Sequence, residues 1–229
     1  MKLCSQAFSV SLFAIPVLLL GAPASIDAQQ VIRPDLAGIA TGNGWTMANR
    51  GATTEMTDGQ TVVTFDGRPG SGAAWLDGFE FENGTIEVRI KGKNNPGLSF
   101  VGVAFRGVDD EIYDAVYFRP FNFVGNNELS RSHMVQYVSH PDNTWSRLRE
   151  EHTDVYENVL IDPPDPDEFF SARIVITKPE VRVYVGDDAE PSLVVNELSD
   201  RTGGRIGLWM GNNSDGSFAD LVIRPTGSR

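Results

Sequence analysis

The residues with the clearest chemical potential lie within 111–157, where aromatic rings alternate with planar hydrogen-bonding groups. Strand-like alternation over 112–119 places Tyr113, Tyr117 and Arg119 on one face. A tyrosine ring stacks on the apolar face of a sugar while its hydroxyl bonds the rim. Arginine adds a planar fork for hydroxyls or a carboxylate. The pattern therefore predicts a sugar-binding wall, and its alternative is that both tyrosines belong to an inter-sheet core.

Polar and aromatic residues further along the chain extend this predicted surface. Gln136 has apolar neighbours and needs partners for both its amide groups, which favours a functional placement. Trp145 is of the residue type that stacks best on sugars, although tryptophan is also a common core anchor. The predicted substrate-binding residues are Tyr113, Tyr117, Arg119, Asn122, Gln136, His140, Trp145 and Arg149.

Hydrolysis of a glycosidic bond would require two carboxyl groups that flank the scissile bond. The acidic residues at 109–111 are consecutive, so they cannot all share one strand face. Asp114 and Glu157 remain as candidates, although nothing in the sequence pairs them. The missing acid pair favours recognition of a glycan over its hydrolysis.

A β-elimination lyase needs different groups. A cation or amide must face the uronate carboxylate, and a histidine or tyrosine must act as base and acid. Arg119, Gln136, Tyr137 and His140 supply these types in a compact stretch. However, Gln136 and Tyr137 are sequence neighbours and would face opposite sides of a regular strand. His140 and Tyr137 thus join Asp114 and Glu157 as catalytic candidates, and the sequence leaves open whether the chain is an enzyme.

The elements that must position these residues are strands. Twenty-three glycines and 13 prolines separate short apolar runs, as expected for an all-β domain. The segment 84–91 alternates strictly, and 98–105 is almost entirely apolar, as in a strand covered on both faces. The best helix candidate, 144–151, has a weak pattern. We predict a two-sheet antiparallel jelly-roll sandwich, formed by a single domain at 29–229.

The N-terminus is typical of a secretory signal peptide, which we place at 1–28. Its apolar run at 7–20 is shorter than the roughly 20 residues that a membrane span needs. We therefore expect a secreted or periplasmic protein with no membrane insertion after cleavage. The only cysteine, Cys4, lies within the signal, so the mature chain has no disulfide. The net charge of -12 argues against nucleic acid as a partner.

Three motifs carry a family resemblance. These are ENGTIEVRI, ITKPEVRVYVGD and the closing GGRIGLWMGNNSDGSFADLVI. Together they resemble the concanavalin A-like lectin/glucanase superfamily, especially its LamG-like and 3-keto-disaccharide-hydrolase-like (DUF1080-type) bacterial members. The resemblance spans roughly residues 40–225 and implies a carbohydrate context. The E-x-D-x-x-E run of the superfamily's glucanases is absent, which argues against that activity.

Metal binding receives little support from the sequence. The three histidines lack zinc-site spacing, and we predict no catalytic metal. The superfamily resemblance implies that a structural Ca²⁺ is conceivable. The oxygen-rich segments 162–168 and 212–215 could supply its ligands, yet neither matches a defined calcium loop. Our default prediction is therefore no cofactor.

The sequence as a whole predicts a carbohydrate-binding domain that recognises its glycan on a concave sheet face. The first alternative is a glycan-processing enzyme, either a glycoside hydrolase or a polysaccharide lyase. The second is a non-catalytic adhesion or structural domain of the cell envelope.

Overall fold

A computed structural model describes Met1 and residues 30–226 of the 229-residue chain. Apart from Met1, the predicted signal peptide lies outside the described residues. The strands are β1 (Trp45–Ala48), β2 (Ala52–Thr57), β3 (Gln60–Phe65), β4 (Gly72–Leu76), β5 (Gly84–Lys91), β6 (Val101–Gly107), β7 (Asp114–Phe118), β8 (Val135–Ser139), β9 (Glu157–Asn158), β10 (Phe170–Thr177), β11 (Glu180–Val185), β12 (Leu193–Asn196), β13 (Arg205–Met210) and β14 (Gly216–Pro225). The helices are a 3₁₀ helix (Leu36–Thr41), α1 (Pro120–Phe123), α2 (Glu128–Ser132) and α3 (Trp145–Glu151). None of these helices has the length and apolarity needed to cross a membrane.

The strands form two antiparallel seven-stranded sheets, which confirms the predicted all-β sandwich. The first sheet has the order β1-β4-β13-β6-β7-β8-β9, and the second has the order β12-β11-β10-β5-β14-β3-β2. The main apolar core lies between the sheets. Ile86, Val88 and Ile90 of β5 point into it, as the alternation predicted.

Strand β6 is buried along its whole length, because the first sheet is covered on both sides. A second apolar cluster lies on the side of this sheet that faces away from the other sheet, which we call the outer face. The cluster comprises Ala48, Ala73, Trp75, Ala104, Tyr113, Ala115, Tyr117, Val138, Leu148 and Trp209. An outer face rich in aromatic rings is the feature that positions the candidate site.

The second and third of the three motifs form a hairpin and the closing strands. Strand β10 pairs with β11, and β12 then adds beside β11. In the closing motif, Phe218 is buried in the core whereas Asp220 is exposed.

Helices account for the main local differences from the sequence prediction. The weak helix pattern at 144–151 corresponds to α3, whose N-cap Thr144 accepts a hydrogen bond from the Arg147 backbone N–H at 3.5 Å. The short helices α1 and α2 were not predicted, since each is about one turn long and has no periodicity to detect. They occupy the segment between β7 and β8, and β8 begins at Val135.

Candidate functional site

The centre of the outer face is formed by a row of side chains that runs across neighbouring strands. In the register of the first sheet, Trp209 lies opposite Gly102, Gly102 opposite Tyr117, Tyr117 opposite Gln136, and Gln136 opposite Glu157. Directly opposed residues share one face of a sheet, so the four side chains lie in line across the sheet. A Cβ at Gly102 would lie 2.8 Å from the Cβ of Tyr117. Glycine is therefore required for the Tyr117 and Trp209 rings to meet above it.

These rings form part of a continuous aromatic floor. The centroids of Tyr117 and Trp209 are 5.0 Å apart, with the ring planes tilted by 39°. The indole N–H of Trp209 donates to the Tyr113 hydroxyl at 3.0 Å. Tyr113 in turn packs on His140, with centroids 4.9 Å apart. Phe100 contacts the edge of Tyr117, with centroids 6.1 Å apart.

Above the floor lies a cavity of about 600 Å³. This volume falls within the range of about 300–1,000 Å³ that is typical of small-molecule sites. Helix α3 supplies one wall, from which Trp145 and Arg149 face the cavity. Trp145 is 51% exposed, and the Arg149 guanidinium carbon lies 5.2 Å from the centre of its ring. An exposed tryptophan braced by an arginine is a surface on which a sugar can stack.

The polar end of the cavity is organised by Glu157, whose side chain is only 2% exposed. Nε and Nη2 of Arg149 donate to its two oxygens at 2.9 and 2.7 Å. Nη1 of Arg119 lies 3.5 Å from Oε2, and Nε2 of His133 lies 3.2 Å from Oε1. The carboxylate thus fixes two guanidinium groups and one imidazole that line the cavity. Hydrogen bonding to Glu157 raises the pKa of Arg149, which therefore stays charged.

A second hydrogen-bond network links this end to the floor. Nη2 of Arg119 donates to the Tyr117 hydroxyl at 2.8 Å and also to Oε1 of Gln136. The Tyr117 hydroxyl donates to the same amide oxygen at 2.8 Å. Burial raises the pKa of Tyr117, so its phenol remains protonated. Among the described residues, Nε2 of Gln136 has no hydrogen-bond partner although the side chain is buried.

Two histidines line the cavity. Burial lowers the pKa of His133 and that of His140, outweighing the opposing effects of Glu157 on the first and Asp114 on the second. Both imidazoles are therefore uncharged at neutral pH. They contribute ring surface and hydrogen-bonding atoms, while the positive charge comes from the arginines.

Most of the predicted binding residues converge on this cavity. It is lined by five of them, namely Tyr117, Arg119, His140, Trp145 and Arg149. Tyr113 and Gln136 lie beside them on the outer face and contact its members. Asn122 is buried behind the cavity, where its Nδ2 donates to the His133 carbonyl at 2.9 Å. It links α1 to the residue that precedes β8, and it does not line the cavity.

Two catalytic candidates lie on the other side of the sheet. Asp114 has the same strand parity as the core residue Val116, and it accepts a hydrogen bond from the Ser199 hydroxyl at 2.8 Å. Tyr137 is part of the inter-sheet core, and its hydroxyl accepts from the Leu198 backbone N–H at 3.0 Å. Asp114 therefore cannot face Glu157 across one groove. Tyr137 cannot reach the cavity either, because a regular strand turns alternate side chains to opposite faces.

Several cavity residues were missed by the sequence analysis. Trp209 belongs to the closing motif, where alternation from the core residues Leu208 and Met210 would have placed it on the outer face. His133 precedes β8 and follows α2, so strand alternation gives its direction incorrectly. Phe100 and Phe121 come from loops and helix ends, for which spacing carries no directional signal.

One cluster has metal-compatible atoms. Ligand atoms of His133, Asp154 and Glu157 all lie within 4.8 Å of one another. However, both oxygens of Glu157 already accept from arginine, and two nearby guanidinium groups oppose a further cation.

The predicted calcium segments are also engaged by the protein itself. Oδ1 of Asn212 accepts from the Gly70 backbone N–H at 2.8 Å, and Asp215 pairs with Lys93. Asp165 and Asp167 each accept a backbone N–H at 2.9 Å. Four side chains of the two segments thus already have partners within the protein.

Comparisons with known proteins show the fold. No family model matches the chain, and a search of curated proteins found no match. Among solved structures, the chain is similar to the carbohydrate binding module CBM66 from Bacillus subtilis, with a TM-score of 0.53 and 14% identity over 79% of this chain and 95% of that one. It is also similar to a Bacillus subtilis protein of unknown function with a galectin-like fold, with a TM-score of 0.52 and 13% identity over 83% and 94% of the two chains.

A third similar structure is the exoplasmic/lumenal domain of VIP36 in its Ca²⁺/Man-bound form. Its TM-score is 0.53, with 13% identity over 82% of this chain and 85% of that one. At such low sequence identity, the similarity to these structures shows the fold alone. The chain therefore shares a two-sheet jelly-roll β-sandwich fold with these structures.

Proposed function

We propose that this chain is a carbohydrate-binding domain that holds a glycan on the outer face of its first sheet. The observation that carries the proposal is the aromatic floor of Tyr117 and Trp209 beneath a cavity of about 600 Å³, a floor that Tyr113 continues into the second cavity. Aromatic rings stack on the C–H face of a sugar. The arginines and histidines at the polar end supply hydrogen bonds to its hydroxyl groups.

Two considerations support a glycan as the ligand class. Two of the similar structures are a carbohydrate binding module and a lumenal domain in a Ca²⁺/Man-bound form. A secreted or periplasmic location, after removal of residues 1–28, would expose the remaining single domain to extracellular polysaccharide.

The ligand is proposed to be an oligosaccharide rather than a single sugar. A second cavity of about 90 Å³ lies farther along the same face, and both cavities share Ser71 and Trp209 as lining residues. It is bounded by Trp75, whose indole N–H donates to Asp110 at 2.8 Å. Neighbouring strands are about 4.8 Å apart, so the four strands from β8 to β13 alone span roughly 14 Å.

Replacing Trp145 by alanine is expected to weaken glycan binding by about tenfold or more, as for an aromatic residue at a binding hot spot. The folded state should change little in stability because Trp145 is 51% exposed. The measurement is a glycan array with the wild-type domain, followed by calorimetric titration of the best ligand into both proteins.

The matched control is Tyr184→Ala. Tyr184 also stacks with an arginine, since the guanidinium carbon of Arg173 lies 3.7 Å from its ring centre, but it belongs to β11 of the second sheet. Tyr184→Ala should keep wild-type affinity. Equal affinity of Trp145→Ala and wild type would reject the proposed wall.

A lyase is the second candidate function, because Arg119, Gln136, Tyr117 and His133 converge at one end of the groove. Tyr117 or His133 would remove the C5 proton next to the uronate carboxylate, and the C4–O bond would break to leave a C4–C5 double bond. The departing sugar oxygen would take a proton, either back from the same residue or from solvent. The raised pKa of Tyr117 opposes such a role. Hydrolysis has less support, since no described carboxylate lines the cavity.

Ultraviolet absorbance of unsaturated products separates lyase from binding module. The proposed binding function predicts no increase in absorbance on incubation with polyuronates. An increase that Tyr117→Phe abolishes would instead establish the lyase.

A further inference from the structure

We infer that the bound glycan is acidic, and that a uronic acid carboxylate binds at the arginine end of the groove, against Arg149. The inference rests on the proposed carbohydrate-binding function and names the class of its ligand. It is carried by the distribution of charge around the cavity and by an unpaired Arg149 donor at one end.

The cavity has a charge opposite to that of the whole molecule. The chain carries a net charge of -12, yet the charged side chains that line the cavity are Arg119 and Arg149. No described aspartate or glutamate lines it; Asp110 lines only the smaller second cavity, which lies beside β4 and away from β9 and Arg149. A binding site for a neutral sugar could include acidic side chains. A binding site for an anionic ligand must exclude them, because like charges within a few ångströms of each other are unfavourable.

The negative charge of Glu157 does not cancel the preference of the cavity for an anionic ligand. Its side chain is 2% exposed and lies behind the arginines, so it does not line the cavity. With both histidines neutral, Arg119, Arg149 and Glu157 together carry one positive charge. Asp154 is also close to Glu157, but it is exposed, and solvent screens its effect.

One donor remains available at this end. Arg149 uses Nε and Nη2 on Glu157, and its Nη1 donates to no acceptor among the described residues. Nε2 of Gln136 also lacks a partner in residues 30–226, but it is buried and Gln136 does not line the cavity, so Arg149 is the group that a ligand can reach. Glu157 holds the Arg149 guanidinium in place, so a ligand carboxylate would meet a fixed donor and not a flexible one.

The inference is tested on the wild-type domain with chemically matched ligands. The probes are three tetrasaccharides, made of β-1,4-linked glucuronate, of galacturonate and of alginate. Each is compared with its carboxyl-reduced counterpart, which has the same linkages but no charge. We expect at least one uronate to bind tenfold or more tightly than its reduced form. Raising the ionic strength from about 0.1 M to about 1 M shortens the Debye length from about 10 Å to about 3 Å and should weaken only the uronate.

Two variants of one helix locate the carboxylate. Arg149→Gln should lose most of the preference for the uronate over its reduced form. Arg147→Gln should keep the preference, because Arg147 is half exposed, pairs with Glu151 and does not line the cavity. Thermal unfolding of both variants establishes that they are folded, and the comparison of ligands on the wild-type protein does not depend on either of them.

Each outcome has a distinct meaning. Equal binding of uronates and their reduced forms would overturn the acidic-glycan inference while leaving the carbohydrate-binding function intact. Stronger binding of a sulfated neutral tetrasaccharide than of any uronate would overturn the assignment to a carboxylate. Absence of binding to every glycan in both sets would overturn the inference and the proposed function together.

Discussion

Replacing Glu157 by glutamine is expected to lower the free energy of unfolding by about 3–5 kcal/mol, the range for removing one partner of a buried ion pair. The reason is that Arg119 is 6% exposed and would lose its counter-ion in a site that water cannot reach freely. Arg149 would lose less, since it is one-third exposed. Chemical denaturation of the variant and the wild type measures the difference. Glycan affinity should fall in parallel, because the cations at the polar end lose their common anchor.

Glu151→Gln is the matched control for this prediction. Glu151 also pairs with an arginine, Arg147, but both side chains are 49% exposed on the surface of α3. Its removal should cost no more than about 0.5 kcal/mol. If the two variants are equally stable, Glu157 is not the organising charge of the site.

Replacing Trp209 by alanine is expected to abolish glycan binding and to cost about 3–5 kcal/mol of stability, as for other buried tryptophans. Trp209 is 5% exposed, packs on Tyr117 and lines both cavities, so its loss opens a gap in the centre of the floor. Titration calorimetry below the unfolding temperature should show a loss of affinity of about 30-fold or more, the equivalent of a 2 kcal/mol hot spot.

Two further variants separate binding from folding. Trp209→Phe keeps an aromatic floor but loses the hydrogen bond to Tyr113, so it should cost about 1 kcal/mol and retain binding. Trp45→Ala should be as destabilising as Trp209→Ala, yet Trp45 belongs to the inter-sheet core and should leave affinity unchanged. Equal loss of affinity in Trp45→Ala and Trp209→Ala would mean that stability alone explains the effect.

Much of this fold was predictable because strand alternation is a short-range signal. The pattern in β5 gives the core face of Ile86, Val88 and Ile90, and the continuous apolar run of β6 indicates cover on both sides. Sheet order was not predictable in the same way. The neighbours of β6 are β13 and β7, and the pairing with β13 joins segments about a hundred residues apart.

The site was predictable only where regular strands carry it. Strand parity along β7, extended by one residue to Tyr113, correctly places Tyr113 and Tyr117 on one face, and the same rule places Asp114 on the other. The polar end depends on tertiary contacts instead. Nothing local in the sequence joins Glu157 to Arg119 and Arg149, which meet through the pairing of β8 with β9 and the packing of α3.

The central claim is that a glycan binds on the outer face of the first sheet. It is tested most directly by a crystal structure of the mature domain with its highest-affinity oligosaccharide. We predict that sugar rings stack over Trp209, Tyr117 and Trp145, with a ligand oxygen in contact with Arg149. A glycan bound on the second sheet, or at a site that leaves these four side chains in solvent, would contradict the account.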